Sequence, residues 1–245
     1  MPNISPVYQR VLLKISGEAL LGGTQFGIEA QGLTHLAQKI QAIVKLGVQL
    51  GLVIGGGNIF RGMNLTSGGI ARVSADQIGM LATVMNGLAV QDALQKIAIE
   101  ARVMSAFQIE TICESYNQRD AIRHLEAGRV VIFVAGTGNP FFTTDSAASL
   151  RAVEIGADLM IKATKVDGVY ASDPKLDPTA ERFTRLSYNK VVELGLGVMD
   201  TTAIVISRDN NLPLRVLDME QPNALVDVIT GQDIGTLIHT ENDNE

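Results

Sequence analysis

The stretch Gln49-Leu50-Gly51-Leu52-Val53-Ile54-Gly55-Gly56-Gly57 runs from apolar residues straight into three glycines. An apolar run of this length that ends in glycine reads as a buried strand delivering the chain to a turn. The pattern recurs. Arg10 to Ile15 reads as a buried strand carrying Lys14 near its end, with Ser16 and Gly17 following, and Val130 to Ala135 reads as a central strand entering the loop Gly136 to Pro140. Between such strands lie helical patterns. Leu33, Leu36, Ala37, Ile40, Ile43 and Val44 share one helical face, and Gly47 stops that helix before the strand at Gln49. Ser74 with Gln77 reads as a capping box opening a long helix whose apolar stripe is Ile78, Leu81, Met85 and Leu88. Further on, Arg102 to Ser105 reads as a strand, Asn117 to Ala127 as a helix, Thr144 to Ile155 as a helix and Leu159 to Lys162 as a strand. The polar segment Ala163 to Leu186, with Pro174 and Pro178, is expected to leave the sheet as a hairpin or lid. Val198 to Asp209 reads as helix, Leu214 to Leu217 and Thr236 to His239 as strands, and 240–245 as a disordered tail.

This alternation predicts an α/β fold, a mostly parallel sheet covered by helices on both faces, with ligands at the carboxyl ends of the strands. Composition agrees: 46% of the 245 residues are hydrophobic, 24 are Gly and none is Trp, as expected of aliphatic strands joined by tight turns. One domain accounts for the length. The formal charge of −6 argues against general affinity for nucleic acid, so a phosphate ligand must meet local positive groups. No apolar run approaches the roughly 20 residues of a membrane helix. A single cysteine, Cys113, and no evident leader point to the cytosol.

Several signatures are absent: no Gly-Lys dipeptide and hence no Walker A loop, no G-x-G-x-x-G, no H-R-D or D-F-G, and no G-x-S-x-G. His35, His124 and His239 read as surface or packing residues rather than a zinc site. What remains converges on strand ends. Lys14 beside Ser16-Gly17 reads either as an ammonium aimed at a phosphate or as an edge lysine snorkelling before a turn. Gly55-Gly56-Gly57 followed by Arg61 favours phosphate binding, because three glycines cost backbone entropy that a plain turn does not require. In Gly136-Thr137-Gly138-Asn139-Pro140-Phe141-Phe142-Thr143-Thr144-Asp145 the Phe pair offers an apolar wall, and the threonines sit at a helix start that favours an anion. Asp76 and Asp145 each read as ordinary first-turn acids. Asp76 could also accept from ribose hydroxyls, and Asp145 gains meaning if it lies between Lys14 and Lys162. In Lys162 to Tyr170, followed by Asp173, Tyr170 could flank an adenine.

At these residues the chain closely resembles the UMP kinase branch of the amino acid kinase family. The likeness runs from about Val7 to Ile238 through Lys14–Leu20, Val53–Gly62, Met80–Gly87, Gly136–Asp145 and Lys162–Tyr170. It implies an αβα sandwich with ATP contacted by Lys14, Ile15, Ser16, Gly17, Gly57, Arg61, Thr164, Tyr170 and Asp173. UMP is implied at Gly56, Asp76, Thr137, Gly138, Asn139, Pro140, Phe141, Phe142, Thr143 and Thr144. Catalysis is expected of Lys14, Lys162, Arg61 and Asp145, with Mg²⁺ carried by the nucleotide phosphates and no metal ligands in the protein. The likeness also implies a homohexamer, GTP as activator and UTP as inhibitor. Arg102 and Arg129 fit the effector site, while Gln95 and Gln118 stand where some members have His and Trp. Two rivals are a kinase of a small carboxylate or carbamate, and a regulator that only senses nucleotides.

Overall fold

The strand β1 (Arg10–Ile15) keeps Val11, Leu12, Leu13 and Ile15 at 0% exposure, because helices cover both faces of the sheet at this point. Burying such a side chain contributes about 1.5–3 kcal/mol. The computed structural model describes residues 5–60, 69–174, 176–177 and 179–240. After β1 come a short 3-10 turn (Gly17–Leu20), α1 (Ala30–Val44), β2 (Gln49–Ile54), α2 (Arg72–Lys96), β3 (Ala101–Ser105), β4 (Glu114–Ser115) and α3 (Gln118–Glu126). The chain continues through β5 (Val130–Val134), α4 (Thr144–Glu154), β6 (Leu159–Thr164), β7 (Val169–Tyr170), β8 (Arg182–Phe183) and β9 (Arg185–Ser187). It closes with α5 (Tyr188–Glu193), α6 (Thr201–Asp209), β10 (Leu214–Asp218), α7 (Ala224–Ile229) and β11 (Thr236–His239).

Nine strands form one sheet in the order β4-β3-β5-β2-β1-β6-β10-β11-β9, parallel except for the β10–β11 pair. On one face Leu36, Ile40, Met80, Val84, Leu225 and Ile229 pack from α1, α2 and α7. On the other, Leu125, Ala148, Ala152, Val191 and Ile204 pack from α3, α4, α5 and α6. The result is the expected three-layer αβα arrangement. The expected hairpin is the antiparallel pair β7–β8. Its limits are narrower than the sequence reading: β6 runs on to Thr164, and β9 rejoins the main sheet beside β11. Residues 241–245 of the expected tail lie outside the described residues.

Two expectations about α2 need correction. The helix begins at Arg72 with Ala71 as its N-cap, so Ser74 lies inside the first turn and caps nothing. An Arg72–Asp76 ion pair at 2.9 Å, spaced one helical turn apart, extends the helix ahead of the expected capping box. Nor does the expected stripe mark the inner face throughout: Ile78 is half-buried and Leu88 packs against the core, but the other two members turn outward. Leu81 and Met85 are 50% and 48% exposed, whereas Ala75, Ala82, Thr83, Asn86 and Gly87 are buried. Small residues let the helix axis lie close to the strands, while Met80, Val84, Val90 and Leu94 supply the apolar contacts of the buried side. Likewise α6 starts at Thr201 and not Val198, because Asp200 caps it through a bond from the Ala203 N–H at 3.0 Å.

Candidate active site

In the parallel register of β1 and β6, Lys14 lies opposite Lys162. Side chains alternate across a sheet. Leu13 and Ile161 therefore face the α1–α2 layer, and both lysines point toward α4. Asp145, in the first turn of α4, meets them: Oδ1 is 2.7 Å from Lys14 Nζ and Oδ2 is 2.7 Å from Lys162 Nζ. The three side chains are only 11%, 14% and 15% exposed for Lys14, Lys162 and Asp145. Lys162 also donates to the Val198 carbonyl at 2.5 Å. Burial alone would raise the Asp145 carboxyl, but the charges of Lys14 and Lys162 outweigh it and hold it below its ordinary value. Lys162 is pushed below the usual lysine value, first by burial and then by the charge of Lys14, while Asp145 opposes both.

The three glycine turns converge beside this cluster. A Cβ placed on Gly55 would lie 3.3 Å from the Gly17 nitrogen and 3.7 Å from Thr144 Oγ1, so the ends of β1 and β2 and the start of α4 are in contact. Gly17 has no room for a side chain, since its Cβ would sit 2.3 Å from Asn58 Oδ1 and 2.4 Å from the Gly55 carbonyl. Gly56 is as tightly placed against α2, with 2.7 Å to the Gly79 carbonyl.

One cavity opens at the two lysines, and a second lies next to Thr144, the residue before Asp145. The larger, about 1020 Å³, is lined by Lys14, Ser16, Lys162, Thr164 and Lys165, and extends between α1 and Met219-Glu220. A Glu18–Lys165 ion pair of 2.8 Å lies at its wall. The smaller, about 140 Å³, is lined by Gly56, Gly57, Asp76, Gly136, Thr137, Phe142, Thr143 and Thr144. Thr143 caps α4, accepting from the Asp145 N–H at 3.0 Å and the Ser146 N–H at 3.4 Å. The Asp76 carboxylate accepts from Arg72 Nε at 2.9 Å and from the Phe141 N–H at 2.8 Å, which pins the glycine loop to α2.

Other expected residues stand apart. Ile15 is a fully buried core residue whose carbonyl accepts from the Gly55 N–H at 3.0 Å, so only its backbone faces the turn. Gly138, Asn139, Pro140 and Phe141 belong to the loop without lining the small cavity, and Phe141 instead packs under Arg72, 5.8 Å from the ring centroid. Gly57 lines the small cavity and not the large one. Tyr170 lies in the β7–β8 hairpin with its hydroxyl 2.6 Å from Asp167 Oδ1, and neither it nor Asp173 lines the large cavity. Arg61 lies outside the described residues. Arg102 and Arg129 sit at the amino ends of β3 and β5, the opposite rim from the lysines. A chain of contacts joins them: Arg102–Glu114 at 3.5 Å, Glu114–His124 at 2.9 Å, His124–Arg129 at 3.2 Å and Arg129–Glu100 at 2.8 Å.

Sequence reasoning missed Asp200. Its carboxylate accepts from the Thr143 hydroxyl, from Ser146 Oγ at 2.8 Å and from the Ser146 N–H at 3.2 Å, tying α4 to α6 beside Lys162. An Asp-Thr pair before an apolar run is an N-cap signal that could have found it.

The model of the amino acid kinase family matches residues 9–218. The chain belongs to the amino acid kinase family. This amino acid kinase is 57% identical over 235 residues to a uridylate kinase of Methylococcus capsulatus, covering 96% of this chain and 98% of that one. It is 58% identical over 233 residues to a uridylate kinase of Pseudomonas aeruginosa, covering 95% of each. Its fold superposes on the crystal structure of UMP kinase from Bacillus anthracis with a TM-score of 0.93 at 40% identity, covering 96% and 97% of the two chains. Within the amino acid kinase, among the described residues, no group of three or more His, Cys, Asp or Glu is placed to hold a metal ion. Nor is any described helix long and apolar enough to cross a membrane.

Proposed function

We propose that this amino acid kinase transfers the γ-phosphoryl group of ATP to the phosphate of UMP, giving UDP and ADP. The observation that carries the reading is the Lys14–Asp145–Lys162 cluster, whose lysines line the large cavity and whose aspartate follows Thr144 of the small one, beside the three glycine turns. An oxygen of the UMP phosphate attacks the γ-phosphorus, a new P–O bond forms, and the bond to the β–γ bridging oxygen breaks with ADP as leaving group. That oxygen is already an anion near neutral pH, so the reaction needs alignment and charge neutralisation rather than a general base. Lys14 and Lys162 supply the positive charge, and Asp145 holds them at a fixed separation.

The large cavity suits ATP, with Lys14, Ser16 and Thr164 in its wall to meet the phosphates. Gly17, Tyr170, Asp173, Gly57 and Arg61 are assigned to ATP from the motif resemblance. The small cavity suits the UMP phosphate and ribose at Gly56, Asp76 and the Thr137–Thr144 loop, beside the α4 N-terminus. The carboxylates at the cluster and the large cavity are already paired with lysines, Asp145 with Lys14 and Lys162, Glu18 with Lys165, and Glu220 with Lys39. Mg²⁺ therefore fits as an ion carried in by the phosphates, where it would neutralise part of their charge. The same reading takes the chain as one cytoplasmic domain that assembles as a homohexamer. It assigns GTP activation and UTP inhibition to a site that includes Arg102 and Arg129.

A coupled assay with ATP, Mg²⁺ and, separately, UMP, CMP, AMP and acetylglutamate tests the reading. UDP formation from UMP far above the other acceptors is expected. Preference for the carboxylate, or binding without turnover, would replace it with one of the rival readings.

A further inference from the structure

The motif Met80–Gly87 lies on α2, and its inner face carries polar groups that the reaction outlined above does not use. Thr83 is 3% exposed and Asn86 is 0% exposed. They stand three residues apart and so share one face of the helix. Thr83 Oγ1 accepts from the Ala135 N–H at 2.7 Å and donates to the Met80 carbonyl at 2.7 Å. Ala135 has φ +63°, a left-handed conformation that costs a non-glycine residue about 1–2 kcal/mol and that holds only when its surroundings impose it. It is the residue from which the Gly136–Asp145 loop departs. Seven residues earlier on the same face, Asp76 grips that loop again through the Phe141 N–H.

Asn86 serves the other turn. Its Nδ2 donates to the Gly55 carbonyl at 2.7 Å and to Asn58 Oδ1 at 2.7 Å, and its Oδ1 accepts from Asn58 Nδ2 at 2.9 Å. Asn58, 2% exposed, donates in turn to the Gly27 carbonyl at 2.9 Å and accepts at its own carbonyl from the Gly27 N–H at 3.0 Å. The asparagine pair thus ties α2 to the glycine turn after β2 and to the loop that follows the 3-10 turn at the large cavity. Buried amides of this kind are stable only when fully partnered, so they fix one geometry and resist others.

We propose that Thr83 and Asn86 are positioning residues for phosphoryl transfer: Thr83 sets the loop of the UMP side, and Asn86, by fixing the Gly55 carbonyl and Asn58 that pack against Gly17, sets the turn after β1 on the ATP side. Thr83 lies in the wall of the small cavity, but its hydroxyl is taken up by the Ala135 N–H and the Met80 carbonyl, so it acts through backbone groups as Asn86 does, and the assignment of sides rests on the reading of the two cavities given above. A purely structural role would weaken the fold and disturb both substrates alike. A positioning role separates them.

The test compares steady-state KM values for UMP and ATP, with thermal unfolding, in Thr83→Val, Thr83→Ser, Asn86→Ala and Asn58→Asp variants. Valine keeps the volume of threonine and loses the hydroxyl; serine keeps the hydroxyl. Thr83→Val should raise KM for UMP about tenfold with KM for ATP nearly unchanged, and Thr83→Ser should restore most of it. Asn86→Ala should raise KM for ATP by a similar factor and KM for UMP several-fold less, since Gly56 and Gly57 of the held turn line the small cavity, with Asn58→Asp, which keeps the shape of the pair, showing the same bias. Equal changes in both KM values, no change in either, or a Thr83→Val protein that does not fold would overturn the proposal. A parent enzyme inactive on UMP would instead remove the functional reading on which the assignment of sides depends.

Discussion

Replacing Asp145 by Asn keeps the outline of the side chain and deletes the charge that holds two ammonium groups in place. Each Lys–Asp145 contact is 2.7 Å long, and the side chains are about nine-tenths buried or close to it, so solvent screens them weakly. Opposite charges about 4 Å apart attract by ~4 kcal/mol at an effective dielectric of ~20. Much of that is offset because the carboxylate no longer has to be desolvated, and breaking one partner of a buried pair costs about 3–5 kcal/mol net. Turnover should fall about a hundredfold to a thousandfold, the range found when a preorganised electrostatic group is removed from an active site. A second readout follows from Lys162, whose ammonium is already held below 10.5 by burial and by Lys14, with Asp145 as the opposing influence. Without that carboxylate the ammonium loses its proton more easily, so the alkaline limb of the turnover profile should move to lower pH. UDP formation measured from neutral to alkaline pH in parent and variant checks both points. Turnover within about twofold of the parent, with the alkaline limb unmoved, would refute the role given to Asp145. Stability should move in the opposite sense to activity at alkaline pH. Between the folded value of Lys162 and 10.5 the unfolded chain holds a proton that the folded chain has released, so this group favours the fold more as pH rises. Asp145 contributes fully above 3.8, and its contribution is lost as pH falls through its lower folded value.

Gly17→Ala should destabilise the fold by about 1–3 kcal/mol and raise KM for ATP, because the new methyl would lie 2.4 Å from the Gly55 carbonyl. An unchanged melting temperature would show that the turn yields. Asp200→Ala should cost about 0.5–2 kcal/mol through loss of the α6 cap and raise KM for UMP through release of Thr143 and Ser146. Asp200→Asn, which keeps a cap, should recover the melting temperature more than the KM; recovery of both together would reduce Asp200 to a helix cap.

The strands were the legible part of this chain, because strands buried on both faces read as apolar runs such as Val11–Leu13 and Val130–Val134. Their ends were legible for the same reason, and with them the meeting of Lys14 and Lys162 at Asp145. The inner face of α2 was not. Ala82, Thr83, Asn86 and Gly87 carry little hydrophobic signal, and the large apolar Leu81 and Met85 drew the reading to the exposed side. Such positions are selected by what lies a few ångströms away on another segment, which spacing along one helix does not record. Asp200 was hidden differently: its place as a cap was obscured by starting the helix at Val198, and its bonds to Thr143 and Ser146 join residues 57 and 54 positions apart. The loop Gly136–Asp145 was recognised as a unit, but only the structure separates Phe142, which lines the small cavity, from Phe141, which turns away under Arg72.

Lys14 and Lys162 occupy the same rung on two adjacent strands of one hydrogen-bonded ladder. The spacing of their Cα atoms is thus the interstrand spacing, about 4.8 Å, a length set by peptide geometry and shared by every sheet. No side-chain substitution elsewhere can stretch it. Deleting or inserting a single residue ahead of either lysine would swing that cation to the far side of the sheet, into the aliphatic layer under α1 and α2. The separation of the two charges is therefore quantised: it tolerates gradual change in the surrounding loops but no shift of register between the two strands that carry them.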